Sequence, residues 1–201
     1  MTMIKLCGLS RPADIEAANE LKPDYIGFVF AQKSRRYVSP ETAAALRNML
    51  SPGIQAVGVF VDEEPEAVAA LLNGGIIDAA QLHGSEDEAY IQTLRQLTGR
   101  PIFQAFRIRT PADIEKANRS SADLVLLDAG AGTGTTFDWS LLSGAARPYF
   151  LAGGLDSENV TAAVRTLHPY GVDVSSGIET GGVKDREKMA AFVAAVRRAN
   201  P

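Results

Sequence analysis

Eight short apolar runs set the rhythm of the chain: "MIKLCG", "YIGFVF", "QAVGVF", "AAQLHG", "PIFQAF", "DLVLLD", "PYFLAGG" and "GVDVSSG". They begin near residues 3, 25, 55, 79, 101, 123, 148 and 171. Each run is continuous rather than alternating, the pattern of a parallel strand buried on both faces. Between most of them lies a helical pattern with a start signal. "RPADIEAANEL" carries Pro12 in its first turn, and "SPETAAALRNML" offers Ser39 as N-cap and Pro40 at the first helical position. "DEEPEAVAALL", "SEDEAYIQTLRQL", "TPADIEKAN", "DSENVTAAVRTL" and "DREKMAAFVAAVRR" follow the same plan, while "FDWSLLS" supports only a turn or so of helix. Eight strand–helix units predict a (β/α)8 TIM barrel, an α/β fold, as one domain over residues 1–201. A doubly wound sheet would use fewer strands and carry G-x-G-x-x-G after the first, where this chain reads "CGLSRP".

One internal echo fits a half-barrel repeat. "PADIEAAN" at residues 12–19 returns as "PADIEKAN" at 111–118, an offset of 99 that joins the first unit to the fifth. Two amphipathic helix starts of common composition would leave the same trace.

Composition narrows the function classes. With 20 Lys and Arg against 24 Asp and Glu, the net charge is −4, so no basic excess calls for nucleic acid or an anionic membrane. No apolar run approaches the roughly 20 residues of a membrane span, and "MTMIKL" lacks the apolar segment of a signal peptide. A single cysteine forms no internal disulfide, which makes the cytoplasm the expected compartment. One cysteine and two histidines, His83 and His168, argue against a structural zinc site.

In such barrels ligands meet the carboxyl ends of the strands. Those ends carry Cys7-Gly8, His83-Gly84, Asp128, Gly153-Gly154 and Ser175-Ser176-Gly177, and the loop after the second strand adds Lys33, Arg35 and Arg36. The glycines and small hydroxyls of "AGGLDSENV" and "VSSGIETGGVKD" lie beside expected helix starts, on the two loops that usually hold phosphate in this fold. They also suit plain tight turns. Asp128 closes an apolar strand, as an N-cap or as a rim carboxyl able to act as a general acid. Cys7 is core filler by residue type. By position, last in its strand before a glycine, it is a thiol at the barrel mouth able to act as base or nucleophile. Arg36 offers a fork for a carboxylate or a solvated loop charge. His83 reads as a polar contact or a satisfied loop histidine, and Trp139 as a cover beneath the sixth loop.

Taken together, these motifs resemble the phosphoribosylanthranilate isomerase family of tryptophan biosynthesis. The resemblance runs in order through "IKLCGLSRPAD", "IGFVFAQKSRRYVSP", "AVGVFVDE", "QLHG", "FQAFR", "LLDAGAGTGTTFDW", "LAGGLDSENV" and "GVDVSSGIETGGVKD". It implies an Amadori rearrangement of N-(5-phosphoribosyl)anthranilate, with Cys7 as general base and Asp128 as general acid. It further implies Arg36 for the anthranilate carboxylate, the loops of Gly153, Gly154, Ser176 and Gly177 for the phosphate, and Asp173 facing the sugar. The family needs no metal or organic cofactor. The expected partner is this small phosphosugar, with no nucleic acid or membrane, in a monomer or homodimer. Two departures stand out: "KSRRY" replaces the commoner "KSPRY", leaving Arg35 and Arg36 both available, and "LSR" replaces "LTR". The pathway's next barrel enzyme, indoleglycerol-phosphate synthase, would call for a strand-end lysine, whereas Lys5 lies two residues inside the first strand. A phosphosugar-binding protein would keep the glycine loops without needing Cys7 or Asp128. The histidine-pathway isomerase runs a similar rearrangement with aspartates at both catalytic ends, so Cys7 favours the anthranilate substrate.

Overall fold

The computed structural model describes residues 1–128 and 139–199. Eight parallel strands close into a barrel in sequence order. They are β1 (Met3–Cys7), β2 (Tyr25–Val29), β3 (Gln55–Phe60), β4 (Ala79–Leu82), β5 (Ile102–Arg107), β6 (Leu124–Asp128), β7 (Tyr149–Ala152) and β8 (Gly171–Val174). Closure between β1 and β8 pairs Lys5 with Asp173. Every expected strand is present, each beginning within a residue of its predicted start.

The helices are α1 (Pro12–Leu21), α2 (Pro40–Met49), α3 (Pro65–Asn73), α4 (Glu88–Leu97), α5 (Pro111–Arg119), α6 (Val160–Leu167) and α7 (Arg186–Ala199). Ser39 caps α2 by accepting the Thr42 amide at 3.2 Å, as its place before Pro40 predicts. After β6, a 3-10 segment (Trp139–Gly144) stands in for a helix, and Trp139 packs half-buried on the core. The stretch after β8 is more broken than its sequence suggests. It is a three-residue 3-10 turn, Ser176–Ile178, then a two-stranded hairpin of β9 (Glu179–Thr180) and β10 (Val183–Lys184) ahead of α7.

Side chains alternate along each strand, so half point into the barrel and half towards the helices. The outward set and the helix faces form one large core. The inward set fills the barrel in layers. Tyr25, Phe103 and Phe150 plug the lower part, with ring centroids 5.6–5.8 Å apart. Cys7, Val29 and Val59 form a small cluster above them. That cluster floors the mouth.

The half-barrel echo extends from residue types to roles. Asp14 accepts the Ser10 and Arg11 amides at 2.9 and 3.0 Å, and Asp113 accepts those of Arg109 and Thr110 at 3.0 and 2.9 Å. Asn19 bonds the Met49 carbonyl and the Ser51 amide, both at 2.8 Å. Asn118 does the same with Gly144 and Ala146, both at 2.9 Å. Among the described residues, no helix is long and apolar enough to cross a membrane.

Candidate active site

A cavity of about 330 Å³ opens at the carboxyl ends of the strands. Its wall brings together Cys7, Arg36, His83, Asp128, Gly153, Gly154, Asp173 and Ser176, from six strands and their loops. Thus seven of the eight residues singled out from the sequence, all but Gly177, meet around one space. Gly177 stands behind the wall: a β-carbon there would lie 1.9 Å from the Leu155 carbonyl oxygen, so glycine lets the β8 loop press against the β7 loop. Gly154 is different. Its φ of 69° is left-handed, and the space where a side chain would stand is open. "AGAGTGTTFD", the centre of the sixth motif, lies outside the described residues.

Two glycines explain why the thiol and the guanidinium fit side by side. A β-carbon on Gly27, the register partner of Cys7 on β2, would stand 2.6 Å from the thiol sulfur. At Gly8, with φ 80°, it would stand 2.5 Å from Arg36 Cδ. The "CG" of β1 and the "IGF" of β2 are therefore one packing device.

Arg36 is held by a residue the sequence reading did not single out. Glu179 accepts from Arg36 Nε at 2.6 Å and Nη2 at 2.9 Å, from Arg35 Nη2 at 2.7 Å and from Lys184 Nζ at 2.7 Å. Burial alone would raise the Glu179 carboxyl, but hydrogen bonds from Arg36 and Lys184 outweigh it and hold it at about 2. Arg36 faces the cavity, whereas the Arg35 side chain is 60% exposed and serves only the outer edge of Glu179. The clamp uses the Nε–Nη2 edge of Arg36; among the described residues its Nη1 carries no hydrogen bond, so a second anion has a donor to meet.

Two more polar residues stand inside the barrel below the mouth. Lys5, fully buried, donates to Asp173 Oδ1 at 2.8 Å. Gln81 is also buried; its Nε2 lies 3.0 Å from His83 Nδ1, and its Oε1 has no partner among the described residues. The other ring nitrogen of His83 lies 3.7 Å from Asp128 Oδ2, so His83 is a neighbour of the rim carboxylate rather than a plain loop residue. The signals for these residues were polar letters inside apolar runs, the lysine of "MIKLC" and the glutamine of "AAQL". Glu179 and Lys184 gave no such signal, because their hairpin reads as loop.

Burial pushes the Cys7 thiol up, Lys5 pulls it down, Asp173 pushes it up again and Lys184 pulls it down; the net direction is upward. Burial likewise disfavours the Lys5 ammonium, but Asp173 and Cys7 together overcome this and raise it. Burial lowers Lys184, against the pull of Glu179.

A parallel barrel with a thiol, a carboxyl, a clamped guanidinium and a glycine-lined corner around one mouth has the make-up of a barrel enzyme's active site. A profile of the N-(5'-phosphoribosyl)anthranilate (PRA) isomerase family matches residues 4–195. The chain is 44% identical to the N-(5'-phosphoribosyl)anthranilate isomerase of Acetivibrio thermocellus, covering 100% of this chain and 98% of that protein. It superposes on the Thermotoga maritima phosphoribosyl anthranilate isomerase with a TM-score of 0.89 at 34% identity, covering 98% and 100% of the two chains. A phosphoribosyl anthranilate isomerase solved in complex with reduced 1-(o-carboxyphenylamino)-1-deoxyribulose 5-phosphate gives 0.87, at 34% identity and the same coverage. The chain therefore belongs to the phosphoribosylanthranilate isomerase family of tryptophan biosynthesis, enzymes that interconvert an aldose and a ketose.

Proposed function

We propose that this chain converts N-(5-phosphoribosyl)anthranilate into 1-(2-carboxyphenylamino)-1-deoxyribulose 5-phosphate, with Asp128 as general acid and Cys7 as general base. Asp128 gives its proton to the furanose ring oxygen, the bond from that oxygen to the first carbon breaks, and a protonated Schiff base forms on the anilino nitrogen. That cation acidifies the proton on the second carbon. Cys7 thiolate removes it, and the enolamine becomes the ketone as the first carbon takes up a proton. A positioned acid and base contribute typically about 10²–10⁴-fold each.

The remaining wall residues fix the substrate between its two anionic ends. Arg36 takes the anthranilate carboxylate through the edge that Glu179 leaves open. Gly153, Gly154, Ser176 and the Gly177 turn take the phosphate, and Asp173 faces the ribose. Anchors at both ends keep the reacting carbons between Cys7 and Asp128. The chain works as one domain over residues 1–201, in the cytoplasm, without metal or organic cofactor, and binds neither nucleic acid nor membrane. It acts as a monomer or homodimer; a solved Thermotoga maritima relative, 35% identical, is described as generated monomers of a dimeric enzyme.

One observation carries this reading: a thiol and a carboxyl from β1 and β6 line the same cavity as Arg36 and the Gly153–Gly154 corner. Decay of substrate fluorescence tests it. The parent turns substrate over, and Cys7→Ala and Asp128→Asn lose at least about 10²-fold in kcat/KM. Parent-like turnover by both variants removes the assignment, and an inactive parent that still binds the phosphosugar turns the reading into a binding protein.

A further inference from the structure

Lys5 is fully buried inside the barrel, and a buried ammonium needs a reason. It lies two residues before Cys7 on β1, so both side chains leave the same face of the strand and point into the barrel. Closure of the barrel brings Asp173 of β8 opposite Lys5, and the carboxylate fixes the ammonium at 2.8 Å. From that anchor the ammonium's charge acts on the Cys7 sulfur, two residues along the same face. The other charged groups around the sulfur are Lys184, tied to Glu179, and Arg36, packed over Gly8; Asp128 and His83 face it from across the cavity.

Building on the reading of Cys7 as base, we propose that Lys5 is a positioning residue for it: the counter-ion that lets the thiolate exist inside the barrel and aims the sulfur at the cavity. The geometry supplies both halves of that task. Asp173 prevents the ammonium from swinging away, and Gly27 leaves room for the sulfur on the opposite side. During the proton abstraction Lys5 keeps its charge. The thiolate takes the carbon-bound proton and becomes a thiol, while the C–H electron pair stays with the substrate. A merely structural Lys5–Asp173 pair would hold the barrel seam together without influence on the sulfur.

The only cysteine of the chain reports on itself, because alkylation by iodoacetamide reads Cys7 alone. In Lys5→Met, alkylation at pH 8 slows by at least about tenfold and its midpoint moves to higher pH. Lys5→Gln, which keeps a polar head without the charge, shifts the midpoint in the same direction. A folded Lys5→Met or Lys5→Gln protein that alkylates with the parent's pH profile overturns the proposal. Activity is a separate readout: a fully active Cys7→Ala enzyme refutes the base assignment, even where the alkylation shifts stand.

Discussion

The two rims of the barrel use the same residue types to opposite ends. At the amino rim, Asp24, Asp78 and Asp123 stand immediately before β2, β4 and β6. Each accepts an amide of the preceding strand, from Ile4, Ala56 and Ile102, at 2.8 Å. Arg47 and Arg95 brace two of them from half-exposed positions. These carboxylates lock strand pairs in register, and solvent shares their charge. At and just below the carboxyl rim, Lys5, Asp173, Glu179 and Lys184 are all buried. Lys5 and Asp173 bridge the β1–β8 seam beneath Cys7, and Glu179 and Lys184 hold Arg36. Between these two sets the residue types are shared, and what differs is that solvent reaches one and not the other.

Substitutions at the mouth give the largest effects and break the comparison most sharply. Cys7→Ala and Asp128→Asn lower kcat/KM by about 10²–10⁴-fold while the melting temperature stays near the parent's. A large fall in melting temperature with unchanged kcat/KM would assign them to the scaffold instead. Glu179→Gln comes next, because it strands Lys184 and Arg36 without their anion. It costs about 3 kcal/mol in urea unfolding, as breaking a buried pair does, and raises KM through the loosened Arg36. Its pH signature has a definite sign. The folded carboxyl titrates at about 2, below the roughly 4.3 of an unfolded glutamate, so its contribution is complete above the unfolded value and fades as pH falls towards 2. Between pH 5 and 2 the parent therefore loses stability more steeply than Glu179→Gln. Equal slopes would show that the clamp carries no linked proton.

Most of the barrel is legible in the letters, and the reason is repetition. Continuous apolar runs, prolines at first helical positions and the recurring "PADIE" each report a local preference that the fold reuses. The wall residues were legible because they end strands. What stayed hidden depends on contacts between distant elements. Lys5 meets Asp173 only because the barrel closes. Glu179 meets Arg36 only because a hairpin after β8 folds over the β2 loop. Gly177 reads as a loop glycine, and only the packing of the β7 and β8 loops reveals that its missing side chain admits the Leu155 carbonyl.

Amino-rim changes sharpen the comparison from the other side. Asp78→Asn costs about 1.5–3 kcal/mol in unfolding, the worth of a charge-assisted hydrogen bond, and leaves kcat/KM within about twofold. Arg95→Ala, at an exposed pair, costs less than about 1 kcal/mol, and less again in high salt. A large activity loss from either would dissolve the division between the rims.

The central claim is that Cys7 removes the proton from the substrate's second carbon, and the pH dependence of kcat/KM in Asp128→Asn, with and without Cys7→Ala, tests it most directly. Replacing Asp128 takes the acid's own titration out of the profile and leaves only the base to be read. Burial pushes the thiol above its ordinary value of about 8.5, so the residual kcat/KM of Asp128→Asn should climb about tenfold per pH unit between about pH 6 and 8. The double variant's should be flat over the same range. A flat Asp128→Asn profile, or a double variant that keeps the same climb, would contradict the account.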